Sequence, residues 1–169
     1  MNQSVEIPWG KCSLKIDLPK RWRILGELKP QGLSQPVDLF EFCSRALASP
    51  ISSERLASRN LTGKKALIVV DDHSRPTPVK AILPAILNEL RTTGISEECV
   101  EFLIATGVHR ASTPEEVADK LGAAIIANHS WNCHNSYDLS NLADMGFTKR
   151  GTKVLLNKKL LEADLIVCV

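Results

Sequence analysis

Apolar and polar residues alternate near the start of the chain. Cys12, Leu14, Ile16 and Leu18 are interleaved with Ser13, Lys15 and Asp17, the two-residue period of a half-buried strand. Pro8-Trp9-Gly10 ahead of it is turn chemistry, so residues 1–28 read as an N-terminal β-hairpin segment. A Pro-, Gly- and Ser-rich stretch from Lys29 to Gln35 reads as a linker. After Pro36 the spacing becomes helical, with Leu39, Phe40, Cys43, Ala46 and Leu47 on one face, closed by Pro50 and Ser52-Ser53.

From Lys64 onward strands and helices alternate. Ala66 to Val70 is a short continuous apolar run, as expected for a parallel strand covered on both faces. Val79, Ile82, Leu83, Ile86, Leu87 and Leu90 line a helical stripe that Gly94 ends. Pro84 lies inside that stripe without an N–H, which predicts a helix that starts late, near Ala81, or kinks. Val100 to Ala105 is the next strand, broken at Thr106-Gly107. Thr113-Pro114-Glu115-Glu116 is a capping box with proline at the first helical position, and Gly122 closes that helix. Two further apolar runs, Ala123 to Ala127 and Lys153 to Leu156, precede a short helix around Lys158 to Glu162 and a last strand, Leu165 to Val169.

This alternation predicts an α/β fold over residues 36–169, a Rossmann-like, mostly parallel sheet with helices on both faces. The chain has 169 residues, enough to remove about 68–70% of the unfolded surface from water. It stops inside a strand with no polar tail, which reads either as a terminal edge strand or as a piece of a longer protein. With 21 Lys+Arg against 19 Asp+Glu, nothing favours a nucleic-acid or anionic membrane surface. No apolar run approaches the ~20 residues a membrane helix needs, and no signal region is seen at the N-terminus. The five cysteines are scattered, never paired as C-x-x-C, and fit a reducing cytoplasm.

In open α/β sheets ligands sit beyond the carboxyl ends of the strands, and two polar clusters fall there. Asp71-Asp72-His73-Ser74-Arg75-Pro76-Thr77-Pro78 follows the strand ending at Val70. An Arg fork suits a planar carboxylate, and an Asp beside it can orient a histidine or the Arg. By itself this run also suits an ordinary Asp-capped turn. Thr106-Gly107-Val108-His109-Arg110 follows the strand ending at Ala105, and a histidine there is a natural general base, since an unperturbed imidazole titrates near neutrality. His129, Cys133 and His134 could bind zinc, but a structural site wants four ligands and the second pair is missing. No P-loop, G-x-G-x-x-G, H-E-x-x-H or G-x-S-x-G is present, which removes support for nucleotide kinases, ordinary dehydrogenases, zincins and α/β-hydrolases.

The run Val69 to Pro78 resembles the Asp-x-(Thr/Ser)-Arg-Pro signature of the nickel-pincer-nucleotide-dependent lactate racemase (LarA) family. Ala105 to Arg110 with Ser112 to Glu116 resembles it too, as do Pro8-Trp9-Gly10-Lys11, Asn128 to Trp131, and Val154 to Asp164. Their order and spacing together are specific. The resemblance implies an isomerase that racemises or epimerises a small 2-hydroxy acid. In that family a nickel-pincer nucleotide accepts a hydride from the α-carbon while a histidine takes the hydroxyl proton. By motif position His109 is one of two catalytic histidines, and Asp72, Arg75 and Arg110 are substrate-binding residues. The family's second histidine, its cofactor-tethering lysine and its nickel-ligating histidine lie beyond an equivalent of Val169. The chain therefore resembles the N-terminal domain of such a protein, inactive alone and partnered by a C-terminal domain. The alternative is a non-catalytic module of the same fold that binds a carboxylate or a partner.

Overall fold

A computed structural model of the chain describes residues 3–10, 12–28 and 37–169. The linker expected over 29–35 lies outside the described residues. The chain forms two compact units, residues 1–36 and 37–169.

In the first unit, β1 (Ser4–Trp9) pairs antiparallel with β2 (Cys12–Asp17). The register sets Val5 against Ile16 and Ile7 against Leu14, so the alternation read from Cys12 onward collects apolar residues on one side of the hairpin. The pairing includes Pro8 and Trp9, so the reversal falls later than the Pro-Trp-Gly reading placed it. Gly10 supplies it, with φ 59°.

The second unit opens with α1 (Leu39–Ala48), capped by the Asp38 carboxylate, which accepts from the Phe40 and Glu41 amides at 3.0 and 3.1 Å. There follow β3 (Ala66–Asp71), α2 (Val79–Thr92), β4 (Val100–Ala105), α3 (Pro114–Leu121), α4 (Ala123–Asn128) and β5 (Ser130–Cys133). After them come β6 (Leu142–Phe147), β7 (Lys153–Asn157), α5 (Lys159–Glu162) and β8 (Leu165–Cys168). Strands β5-β4-β3-β8, in that order, form one parallel sheet. The expected α/β architecture is thus the observed one, a parallel four-stranded sheet with flanking helices and a separate N-terminal hairpin.

One detail differs from the sequence reading, and two more concern apolar runs to which it assigned no element. Helix α2 starts at Val79 rather than near Ala81 and runs through Pro84 without interruption. Pro84 forfeits one bond to the Lys80 carbonyl, while Val79, Leu83, Ile86 and Leu90 stay buried against the sheet. Of the two late apolar runs, Ala123 to Ala127 is helical. The strand follows it, inside the segment considered for zinc. Lys153 to Leu156 is a strand, but it pairs antiparallel with β6 and stands apart from the parallel sheet.

The core lies mainly on one face. Ala66, Ile68 and Val70 of β3 and Val100, Phe102 and Ile104 of β4 pack against α2 and against Val117 and Leu121 of α3. Cys43 and Leu47 of α1 and Ile125 and Ile126 of α4 join the same cluster. Crossovers from β3 to β4 and from β4 to β5 run in one direction, so right-handed connections place their helices on one side. Helices on both faces are therefore found unevenly. On the other side, Lys159 of the short α5 places Nζ 2.5 Å from Glu101 Oε1.

Candidate active site

The register of β3 and β4 assembles the site. Asp71 pairs with Ala105, the last residue of each strand, so the loops that follow leave the sheet side by side at its carboxyl edge. Asp72, the first residue of one loop, is 3% exposed. Its Oδ1 accepts from the Ser74 amide at 3.0 Å and the Ser74 hydroxyl at 2.5 Å, an Asx turn that the Asp-x-Ser order encodes. Its Oδ2 lies 2.6 Å from Nδ1 of His109, which comes from the other loop.

Two hydrogen bonds and one glycine place His109. Its amide donates to the Thr106 carbonyl at 3.0 Å, closing a tight turn. Gly107 takes φ 60° inside that turn, a backbone region that β-carbons disfavour. Thr106 is buried, and its hydroxyl donates to the His134 carbonyl beyond β5, tying the loop to the third strand end.

The Asp72 carboxyl is held down at about 2, chiefly by the Ser74 hydroxyl and also by His109, against the opposing effect of burial. An ionised carboxylate only accepts, so Nδ1–H of His109 is the donor, and in the neutral ring Nε2 carries the lone pair. Half-exposed, His109 can present that lone pair to a ligand. Because the folded pKa lies below the ordinary 3.8, the Asp72 interactions stabilise the fold fully above that pH. They are lost as pH falls through about 2. Carbon-13 NMR of the Asp72 carboxyl is expected to show it still ionised at pH ~4 and titrating near 2; a midpoint at an ordinary carboxylate value would contradict this pairing.

A cleft of about 240 Å³ opens over these residues, lined by Asp72, Arg75, Thr106, Gly107 and His109 among others. Arg75 is exposed on its rim, and no side chain of the described residues pairs with its guanidinium. It is placed to receive a carboxylate with two parallel N–H bonds.

Two of the four residues expected at the site are engaged by other groups of the chain. Asp72 is buried, with Oδ1 held by Ser74 and Oδ2 by His109. Arg110 turns away: its guanidinium holds Glu116 at 2.6 and 2.8 Å. Glu116 also accepts from the Thr113 amide at 2.8 Å as half of the capping box. Arg110, with the Thr113 amide, holds the Glu116 carboxyl at about 2. The sequential adjacency of His109 and Arg110 concealed this, because neighbouring loop residues need not share a direction.

His73 sits between the loops, with Nδ1 3.0 Å from Ser112 Oγ and Nε2 3.6 Å from Glu116 Oε1. The zinc candidates are dispersed into other contacts. His129 packs edge-on to Phe102 at 5.5 Å, Cys133 points at the Ser112 carbonyl, and His134 Nδ1 meets Asn157 Nδ2 at 3.3 Å. Among the described residues no group of three or more His, Cys, Asp or Glu could hold a metal ion. Sequence reasoning missed Ser74 as the second partner of Asp72, and it missed Lys120, whose ammonium reaches Asp71 from α3. The fourfold spacing from Glu116 to Lys120 was the available signal.

The carboxyl ends of a parallel α/β sheet thus carry a carboxylate-buttressed histidine and an exposed guanidinium, groups that can accept a proton and hold an anion. The family model described as the lactate racemase N-terminal domain matches residues 9–169. The chain belongs to that family. It is 37% identical over 166 residues to the lactate racemase of Thermoanaerobacterium thermosaccharolyticum and 30% identical over 166 residues to that of Lactiplantibacillus plantarum. These alignments cover 97% of this chain but 38% and 39% of the relatives. The structure of the lactate racemase apoprotein from Thermoanaerobacterium thermosaccharolyticum superposes with a TM-score of 0.77 at 36% identity, covering 98% of this chain and 38% of that one. The chain thus spans well under half the length of these relatives. Among the described residues no helix is long and apolar enough to cross a membrane.

Proposed function

We propose that the chain is the N-terminal part of a lactate racemase-like isomerase that inverts the α-carbon of a small 2-hydroxy acid in the cytoplasm. The observation that carries this reading is the Asp72–His109 pair at 2.6 Å, on the rim of a cleft that also bears Arg75. Arg75 binds the substrate carboxylate and so fixes which way the α-hydroxyl points. His109 Nε2 removes the hydroxyl proton, and Asp72 stabilises the imidazolium that forms. Proton removal and cleavage at the α-carbon must share one geometry, which is what a two-point hold on the acid provides.

The family resemblance adds a nickel-pincer nucleotide. The residues of this chain do not fit as its holder by themselves, because among the described ones no group of three or more His, Cys, Asp or Glu could hold a metal ion. The holding residues are proposed to lie in the remainder of the full-length protein, its C-terminal partner domain, and residues 1–169 alone are proposed to be inactive.

The test is to load the full-length protein with the cofactor and follow D- and L-hydroxy acids by chiral chromatography. Interconversion of at least one acid is expected, and none with any acid would sink the reading. Within that assay Arg75→Lys is expected to raise KM about tenfold or more, because a point ammonium cannot reproduce the planar fork. Equal KM in both versions would remove Arg75 from substrate binding.

A further inference from the structure

We propose that Lys120 is a positioning residue: from α3 it clamps the Asp71–Thr77 loop and thereby sets where the Arg75 guanidinium stands over the cleft. Its side chain is only 9% exposed, with Nζ 2.5 Å from Asp71 Oδ1 and 3.0 Å from the Arg75 carbonyl oxygen. Asp71 closes the other side of the loop by accepting from the Thr77 hydroxyl. One ammonium therefore ties two points, the last residue of β3 and Arg75 itself, to a helix.

Desolvating an ammonium is expensive, and a lysine in the last turn of a helix could extend its head into water instead. Lys120 does the opposite. Its charge is spent on backbone and carboxylate groups of the loop and leaves the Arg75 side chain without a competing carboxylate. Four residues earlier on the same helix face, Glu116 takes Arg110 and lies 3.6 Å from His73. The Glu116–Lys120 face of α3 thus splints both site loops to a rigid element. Glu116 draws one arginine out of the cleft, and Lys120 anchors the backbone of the other.

The inference deepens the proposed function, since it assumes that Arg75 holds the substrate carboxylate. In the full-length protein, Lys120→Met is expected to raise KM for the hydroxy acid between about tenfold and a hundredfold. The pH profile of kcat, set by the Asp72–His109 pair, is expected to hold. Amide hydrogen exchange is expected to accelerate in residues 72–77 and to stay slow in β3. An unchanged KM with unchanged loop exchange would overturn the proposal. So would a loss of activity at constant KM with faster exchange throughout α3 and β3, the mark of a merely structural lysine. Should Lys120→Met not fold, Asp71→Asn removes the partner charge, and exchange in 72–77 decides alone. If the wild-type protein interconverts no hydroxy acid, the functional reading fails while the exchange result still judges the clamp.

Discussion

His109→Ala in the full-length, cofactor-loaded protein is expected to lower the racemisation rate by about 10² to 10⁴-fold. The half-exposed imidazole forms no part of the buried core, so folding is expected to survive its removal. Only the proton acceptor disappears. KM should move little, because the carboxylate contact is proposed to belong to Arg75. Chiral analysis of initial rates in both directions checks this. Retained turnover in both directions would take His109 out of the mechanism, whereas loss in one direction alone would assign it to one face of the substrate.

Asp72→Asn is expected to be nearly as damaging, with a loss of up to roughly 10⁴-fold, through the tautomer of His109. Ser74 presents two donors, its amide and hydroxyl, to one side of residue 72. An asparagine there must turn its oxygen to Ser74 and its NH₂ to His109. The amide then donates to Nδ1, the ring proton moves to Nε2, and the lone pair that faced the substrate is gone. Sterically the substitution is slight, so kcat is expected to fall while the substrate is still bound. Asp72→Asn with wild-type turnover would show that the histidine does not depend on its carboxylate. The reversed tautomer is directly readable from nitrogen-15 shifts of the His109 ring.

Much of the chain was legible in its own order of residues. The capping box at Thr113–Glu116, the strands at Ala66 and Val100, and the alternation around Leu14 are local patterns, and each forms where it was read. They are legible because caps and periodicities involve residues within one or two turns of each other. Ser130–Cys133 was not legible as a strand for the complementary reason. Four residues that alternate between half-buried and exposed positions become a strand by pairing with β4, and short strands draw their preference from neighbours and not from their own composition.

At the site the same division holds. The sequence by itself determined that a carboxylate, an imidazole and two arginines follow two strand ends, because turn chemistry and apolar runs locate those ends. Only the tertiary structure decided which of them meet. The parallel register that sets Asp71 beside Ala105 brings Asp72 to His109 across 37 residues. Helix α3, packed on the sheet through Val117 and Leu121, claims Arg110 and leaves Arg75 over the cleft. The residue types announce what chemistry is available. Which arginine is spent on structure, and which nitrogen of His109 carries the proton, depends on partners that meet only when the strands and helices are packed.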